Sequence, residues 1–466
     1  MSEAHTPAVL DTPLPAAISH ALRAANIAFS LHALADIDAA LQVQTVVLQD
    51  GAKQSLVVFP RQHILDLSQL NKATSAHWRA ASAATLQRCL NQHAVAEVIA
   101  IPQLFAMPCI YDPVLLARPR LYLPYPALGL AIGLDCHAVK ALLAHSSALS
   151  CRAELSHQNA NHSPATEDAE GIQHAVIRLT SRRIHQRLQE TLDIPLLSTT
   201  AQKILRLQAH ADDIDIDELI SIVETDPALA AQVVSWAASA YYAAPDKIRS
   251  VEDAITRVLG VDLVVNVSIA LSLKDSLAMP KEQPQHYTPY WRQAIYTGAL
   301  IEGLVRAMPA EHKPESGLAY LAGLLHNFGF SLLAYLFPPH FSLVCRSLEV
   351  NRHLSHSTVE SYLLGITREQ MGAWLMQCWN IPEELVNALR YQDNPDYAGP
   401  HASYANLCCL AQRLLAQHGI GSIHDASIPS ALYARLGLSA ERAQQALQRV
   451  LDAELALQEL AQQFSQ

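Results

Sequence analysis

Apolar and polar positions follow different periods in the two halves of this chain. In the first 150 residues, short runs rich in Val and Leu, such as 45–48 and 55–59, are separated by turn-forming residues. The segment 49–53, Gln-Asp-Gly-Ala-Lys, joins these two runs, and such a pattern predicts a β-hairpin. From about residue 174 onward, apolar residues recur every three or four positions, which predicts amphipathic helices. The pattern therefore predicts a multidomain chain, with an N-terminal α/β (α+β) region followed by an all-α region.

The same patterning predicts the remaining elements. In the N-terminal region we expect helices at 16–25, 65–71, 82–91 and 136–144, and extended segments at 27–31, 97–101, 108–111, 120–123 and 129–133. In the helical region, Asp226 and Pro227 predict a helix start, because Asp caps the free N–H groups and Pro fits the first turn. Ser250 predicts the start of a second helix, which ends at Gly260. Residues 439–464 carry the apolar stripe of a further helix.

A polar segment separates the two regions. Within residues 152–172, the stretch 156–171 is polar, its apolar residues are all small, and it includes Pro164 and Gly171. This composition predicts a mobile linker. We therefore expect an α/β domain at 1–150, a linker at 151–173, an all-α domain at 174–400 and a helical extension packed on it at 401–466. We also expect the two halves to fold separately.

Composition and charge narrow the class of protein. The 466 residues include 43 acidic and 32 basic side chains, and the net charge of −11 provides no broad attraction for a phosphate backbone. Nucleic acid is therefore not an expected partner. The eight cysteines form no Cys-x-x-Cys pair and the N-terminus has no secretory pattern, so we expect a cytoplasmic protein with reduced, buried thiols.

One apolar stretch, residues 318–337, is long enough to cross a membrane. His326 and Asn327 lie at its middle, where a polar pair would be costly in lipid. The stretch is therefore expected to be a buried core helix, and no membrane is an expected partner.

Seven motifs occur in a fixed order over about 200 residues of the second half. They are Ile-Pro-Leu-Leu at 194–197, the segments 222–241 and 248–260, Tyr-Trp-Arg-Gln-Ala at 290–294, Leu-Ala-Gly-Leu-Leu-His-Asn-Phe-Gly at 321–329, and the segments 371–382 and 388–393. This set resembles the HDOD domain, a helical module that is related to the metal-dependent phosphohydrolases of the HD superfamily. The resemblance implies an all-α fold and a role in bacterial signal transduction.

The resemblance also indicates which residues replace the metal ligands of the HD enzymes. A catalytic metal needs neutral imidazoles and anionic carboxylates, which bind the cation and lower the pKa of its water. The corresponding positions of this sequence carry, in chain order, Gln293, His326, Asn327, Arg368, Gln392 and Asp393. The amide of Asn327 stands in for a carboxylate, and Arg368 would repel a cation if it faced the same pocket. The resemblance therefore implies a vestigial HD pocket with no metal, no cofactor and no catalytic residue. His326 is then either a core histidine or a contact in a retained ligand pocket.

The order of elements in the N-terminal region resembles the aminoacyl-tRNA editing domains related to prolyl-tRNA deacylase. That order is helix, strand, hairpin and helices, then Ala-Ile-Pro at 100–102 and a strand from Gly129 before a last helix. Those domains use a lysine on the first hairpin strand and a Gly-x-x-Pro loop. Gln44 occupies the lysine position, and the segment before Pro102 lacks the glycines. The resemblance implies a vestigial editing site at Gln44 and Pro102 that does not deacylate.

Together these patterns predict a non-catalytic HDOD-type regulatory protein that acts by binding a protein or a small-molecule signal. Three alternatives stay open: a metal-dependent phosphohydrolase of the HD type, an aminoacyl-tRNA trans-editing deacylase, and a nucleotide-binding sensor. The sequence does not identify the partner, and it leaves formation of a homodimer open.

Overall fold

The structure is a computed structural model, and it describes residues 14–155, 165–179, 197–208, 214–244, 246–274, 280, 282–421 and 425–465. The chain divides into two compact units. The first unit contains Met1–His157, Pro284–His286 and Ser342–Val359, and the second contains Gln158–Gln283, Tyr287–Phe341 and Glu360–Gln466. The expected order, an α/β region followed by a helical region, is confirmed.

The first unit mixes short strands and helices. Its strands are β1 Ser30–Ala33, β2 Val43–Asp50, β3 Lys53–Pro60, β4 Ile64–Leu65, β5 Arg79–Ala80, β6 Cys109–Tyr111, β7 Arg120–Tyr125, β8 Leu130–Asp135, β9 Ser147–Ala148 and β10 Arg152–Ala153. Its helices up to residue 155 are α1 Ala16–Ala24, α2 Leu67–Thr74, α3 Ala83–His93, α4 Pro102–Phe105 and α5 Cys136–Leu142. The strands form a mixed sheet β5-β2-β3-β6-β9, an antiparallel sheet β1-β8-β7 and the pair β10-β4.

Local chemistry explains which of the expected strands form. The predicted hairpin is present: β2 and β3 pair antiparallel, and Gly51 has the positive φ of 59° that its tight turn needs. The prediction of a strand at 97–101 is wrong, because no strand forms there. The N–H of Ile101 donates to the carbonyl of Ile99 in a tight turn, and Pro102 has no N–H to offer a neighbouring strand. Residues 97–101 therefore lead into α4 without strand pairing.

A late segment of the chain completes the first unit. Val350 is fully buried in the hydrophobic cluster that contains Leu65. The side-chain amide of the next residue, Asn351, accepts a hydrogen bond from the N–H of Leu65 (2.7 Å) and donates one to its carbonyl (3.1 Å). His353 Nε2 lies 3.0 Å from the carbonyl of His63. The segment Ser342–Val359, inside the expected all-α domain, therefore belongs to the first unit.

The second unit is helical. In chain order the next helices are α6 Asp168–Leu179, α7 Thr199–Gln208, α8 Ile216–Glu224, α9 Pro227–Ala237, α10 Val251–Ala254, α11 Val261–Lys274, α12 Tyr290–Ala307, α13 Ser316–Leu325, α14 Phe328–Leu336, α15 Pro338–Val350, α16 His356–Leu364, α17 Arg368–Cys378, α18 Glu383–Tyr391, α19 Ala402–Ala416, α20 Ser430–Arg435, α21 Ala440–Asp452 and α22 Glu454–Ser465. The unit boundary falls within α15 and again within α16.

The expected helix caps are confirmed. The Asp226 side chain accepts from two N–H groups in the first turn of α9, and Ser250 Oγ accepts from the N–H of Asp253. A π-turn follows α10, and Gly260 ends it with a φ of 78°. The C-terminal helix expected at 439–464 is divided into α21 and α22 at Ala453.

The expected linker at 151–173 has regular structure at both ends. Residues 156–164 lie outside the described residues. On one side, β10 pairs with β4, and on the other, α6 begins at the buried Asp168. The stretch Ser316–Leu336 is the one described segment that is long and apolar enough to cross a membrane, and 94% of its apolar window is buried inside the protein. The expectation of a core element is confirmed, although a turn at His326 divides the stretch into α13 and α14.

Candidate functional site

Two glycines bring the expected HD pocket together in the second unit. A Cβ atom on Gly329 would lie 1.8 Å from the carbonyl oxygen of Arg368 and 2.9 Å from the backbone nitrogen of Gly372. Only glycine therefore allows the first turn of α14 to approach the first turn of α17 this closely. Thr367 caps α17 in a reciprocal capping box with Gln370. This close approach places Asn327, at the start of α14, beside Arg368, at the start of α17.

The Arg368 side chain fills the centre of this site. Its NH1 group donates to Asn327 Oδ1 (3.1 Å), and its Nε donates to Glu360 Oε1 (2.7 Å). The backbone N–H of Arg368 donates to the other oxygen of Glu360 (2.9 Å). The guanidinium carbon also lies 4.5 Å from the ring centroid of Phe330. We call these four side chains, Asn327, Phe330, Glu360 and Arg368, the Arg368 cluster.

The Arg368 cluster is a buried charge pair. Arg368 is 3% exposed and Glu360 is fully buried. Burial alone would lower the pKa of Arg368, but the adjacent Glu360 carboxylate outweighs burial, and the pKa lies above its ordinary value. The guanidinium therefore keeps its positive charge at every physiological pH. The side-chain oxygen of Asn327 therefore accepts a hydrogen bond from a buried cation.

The side chains of His326 and Gln392 form hydrogen bonds with backbone carbonyl groups. His326 Nδ1 lies 2.7 Å from the carbonyl of Gly323, so this nitrogen carries the proton that it donates. Gln392 Nε2 donates to the carbonyl of His326 (2.6 Å) and to that of Leu389 (2.9 Å). Its Oε1 accepts from Gln412 Nε2 at 2.7 Å. The Gln392 amide therefore ties α18 and α19 to the end of α13.

The two remaining candidates are Gln293 and Asp393. Gln293 is 3% exposed on α12 and, among the residues that the structure describes, forms no hydrogen bond with His326, Asn327, Arg368 or Gln392. Asp393 is half-buried, directly after Gln392, and one of its carboxylate oxygens lies within 4.8 Å of one of Glu369, the residue that follows Arg368. The structure therefore joins Asn327 directly to Arg368, and His326 to Gln392 through its backbone.

A second buried ion pair lies beside the site. Arg390 is fully buried, and its guanidinium donates to both carboxylate oxygens of Asp168, at 2.5 and 3.0 Å. Gln370, the capping-box residue of α17, donates to the same carboxylate at 2.8 Å. Asp168 belongs to the segment that was expected to be a mobile linker. Helix α6 is therefore tied to the helices that carry Arg368.

In the first unit, the expected editing-site positions have local partners. Gln44 lies on β2, and its Oε1 accepts a hydrogen bond from Arg61 NH1 at 3.0 Å. Burial lowers the pKa of Arg61. Pro102 is buried at the first position of α4. A neutral amide at position 44 therefore holds an arginine instead of supplying a cation itself.

Sequence reasoning did not find Glu360, Phe330 or Asp168. Glu360 lies in helix α16, and a carboxylate eight positions before an arginine is a weak signal that could have suggested a buried partner. Asp168 gave no such signal, because its partner Arg390 lies more than two hundred residues away.

Comparisons with known proteins bear on both units. The family model described as "HDOD domain" matches residues 194–395. The crystal structure of a "Putative signal transduction protein" from Marinobacter aquaeolei VT8 is 37% identical, covers 97% of this chain and 100% of that chain, and has a TM-score of 0.90. That similarity extends over the α/β unit as well as the helical one.

Two further matches are more distant. An "Uncharacterized protein" of Treponema pallidum (strain Nichols) is 23% identical over 208 residues, which are 44% of this chain and 39% of that protein. The chain thus matches less than half the length of this curated relative. The crystal structure of a "Putative phosphohydrolase" from Shewanella amazonensis SB2B is 18% identical, covers 61% of this chain and 99% of that chain, and has a TM-score of 0.47. A similarity at that level carries no argument about activity.

Proposed function

We propose that this chain is a non-catalytic regulatory protein that acts by binding a protein or a small ligand. It belongs to the same protein family as the "Putative signal transduction protein" of Marinobacter, and the HDOD domain model matches its residues 194–395. The observation that carries the proposal is the hydrogen bond from Arg368 NH1 to Asn327 Oδ1.

A catalytic metal does not fit these residues. Hydrolysis by an HD-type centre requires anionic ligands that bind a divalent cation and an open position for a water molecule. Asn327 is neutral, and its side-chain oxygen already accepts from a cation that is itself buried. Removing Glu360 from Arg368 in favour of a metal would leave a buried guanidinium unpaired, at a cost of about 3–5 kcal/mol. The charge of Arg368 thus takes the structural place of a metal ion.

For the first unit we propose a degenerate editing-like domain that binds without hydrolysis. The order of its elements supports this assignment, as does the neutral Gln44 at the lysine position. Its hydrogen bond with Arg61 gives Gln44 a structural role.

Isothermal titration calorimetry, with Mn²⁺ titrated into the full-length protein, tests whether an HD-type metal site is absent. We expect wild type and His326→Ala to give the same heats. Asn327→Asp alone should gain no Mn²⁺ site, because Arg368 and Gln293 still occupy ligand positions. A saturable Mn²⁺ site in wild type that His326→Ala removes would refute the non-catalytic assignment.

A further inference from the structure

A guanidinium on the sheet β1-β8-β7 has no carboxylate partner among the described residues. Arg120 NH2 donates to Ser30 Oγ at 2.8 Å, and the guanidinium carbon lies 5.7 Å from the ring centroid of Tyr122. The Nε atom of Arg120 is buried and meets no acceptor in the described part of the chain. Asp135, its cross-strand neighbour, uses its carboxylate to cap α5 at the N–H of Ala138. In the part of the chain that the structure describes, the Arg120 guanidinium therefore forms no ion pair with a carboxylate.

The groups around this guanidinium are held in a fixed arrangement. Ser30 Oγ, which accepts from Arg120, also lies 2.8 Å from Nε2 of the fully buried His32. The rings of His32 and Tyr122 meet edge to face at 5.3 Å. A Cβ atom on Gly133 would lie 2.9 Å from Ser30 Oγ and 3.0 Å from His32 Nε2. The three side chains therefore pack directly against the backbone of β8, and a larger residue at position 133 would displace them.

We propose that Arg120 and Ser30 form a binding site for an oxyanion, the group that carboxylates and phosphates share. Arginine presents planar N–H donors that match such oxygens, and hydrogen bonds between charged groups are about twice as strong as neutral ones. Arg120 NH1 has no acceptor among the described residues, so this terminal nitrogen is left for the ligand. The chain carries a net charge of −11, so an anion binds through this local geometry and not through a general attraction. The proposal is independent of the function of the HDOD unit.

Isothermal calorimetry of the full-length protein tests this site, with inorganic phosphate and acetate titrated separately. The two titrations distinguish a phosphate-type from a carboxylate-type ligand. We expect saturable binding of at least one anion, and we expect Arg120→Gln to weaken it by about tenfold or more. The matched control is Arg79→Gln, which removes an exposed arginine from β5 of the same unit and should leave binding unchanged.

Two further variants keep the test decisive if Arg120→Gln does not fold, which circular dichroism will show. Arg120→Lys keeps the charge and loses the planar fork, so it should weaken binding severalfold. Gly133→Ala should weaken binding by displacing Ser30 Oγ. The proposal is overturned if neither anion binds saturably, if Arg120→Gln and Arg79→Gln weaken binding equally, or if Arg120→Lys and Gly133→Ala bind as wild type does.

Discussion

Asn351 closes an open strand edge in the first unit. Strand β4 pairs with β10 through Ile64 and Ala153, so the N–H and C=O of Leu65 point to the opposite edge. There the Asn351 amide accepts from one group and donates to the other, and both residues are 1% exposed. Asn351→Ala leaves two buried backbone groups without partners. At about 1–3 kcal/mol each, the expected loss in the free energy of unfolding is about 2–6 kcal/mol.

The substitution Asn351→Asp separates this account from simple loss of packing. An ionised carboxylate can still accept from Leu65 N–H, but it cannot donate to the carbonyls of Leu65 and Ser347 that Asn351 now satisfies. The protonated form can donate, so the pKa of the introduced carboxyl is raised by folding above its ordinary value of about 3.9. A raised carboxyl pKa means that the folded state binds the proton more tightly. The variant should therefore be most stable below about pH 4 and lose stability as the pH rises.

Urea unfolding followed by circular dichroism measures the stability, and hydrogen exchange of the peptide that contains Leu65 measures the local effect. Both variants should increase exchange at the Leu65 amide. The control Asn91→Ala removes an exposed asparagine side chain that accepts a hydrogen bond from Gln87, and it should change stability by no more than about 0.5 kcal/mol. Unchanged stability and unchanged exchange in Asn351→Ala would refute the edge-closing role.

Three other expectations follow from the packing. Gly329→Ala should lower stability by about 1–3 kcal/mol or more in thermal denaturation, because its Cβ would overlap the first turn of α17. The control Gly171→Ala has open space at its Cβ and should be neutral or stabilising. Asp168→Asn should lower the free energy of unfolding by about 3–5 kcal/mol, since it leaves the buried Arg390 guanidinium without its counter-charge; a loss below about 1 kcal/mol would contradict that pairing. A fragment of residues 1–157 should be less stable than the same unit in the intact chain, because it lacks 342–359; equal urea midpoints for the fragment and the intact unit would contradict this expectation.

The sequence was informative where local chemistry decides the structure. The hairpin around Gly51, the caps at Asp226 and Ser250, and the helical period of the second half each depend on neighbouring residues, and each was predicted. The replacement of a carboxylate by Asn327 was also readable, because the motif that contains it is continuous in sequence.

Long-range pairing could not be predicted in the same way. Asn351 contacts Leu65, 286 positions earlier, and nothing in either neighbourhood marks the pair. From the sequence, Arg368 was expected to repel a cation if it faced the same pocket. A single carboxylate such as Glu360 forms no pattern in the sequence, so the side chain that neutralises Arg368 could not be predicted. The helix that begins at Asp168 follows a polar segment, and a buried partner overrides the composition that favoured a linker.

The proposal that Arg368 replaces a catalytic metal is tested most directly by turnover. Hydrolysis of bis(p-nitrophenyl) phosphate is measured with full-length wild type and His326→Ala, with and without Mn²⁺. The account predicts that both proteins give the rate of the Mn²⁺-containing buffer alone, because the Arg368 guanidinium is bonded to the neutral side-chain oxygen of Asn327, where an HD-type centre needs an anionic ligand. Mn²⁺-dependent turnover by wild type that His326→Ala abolishes would contradict it.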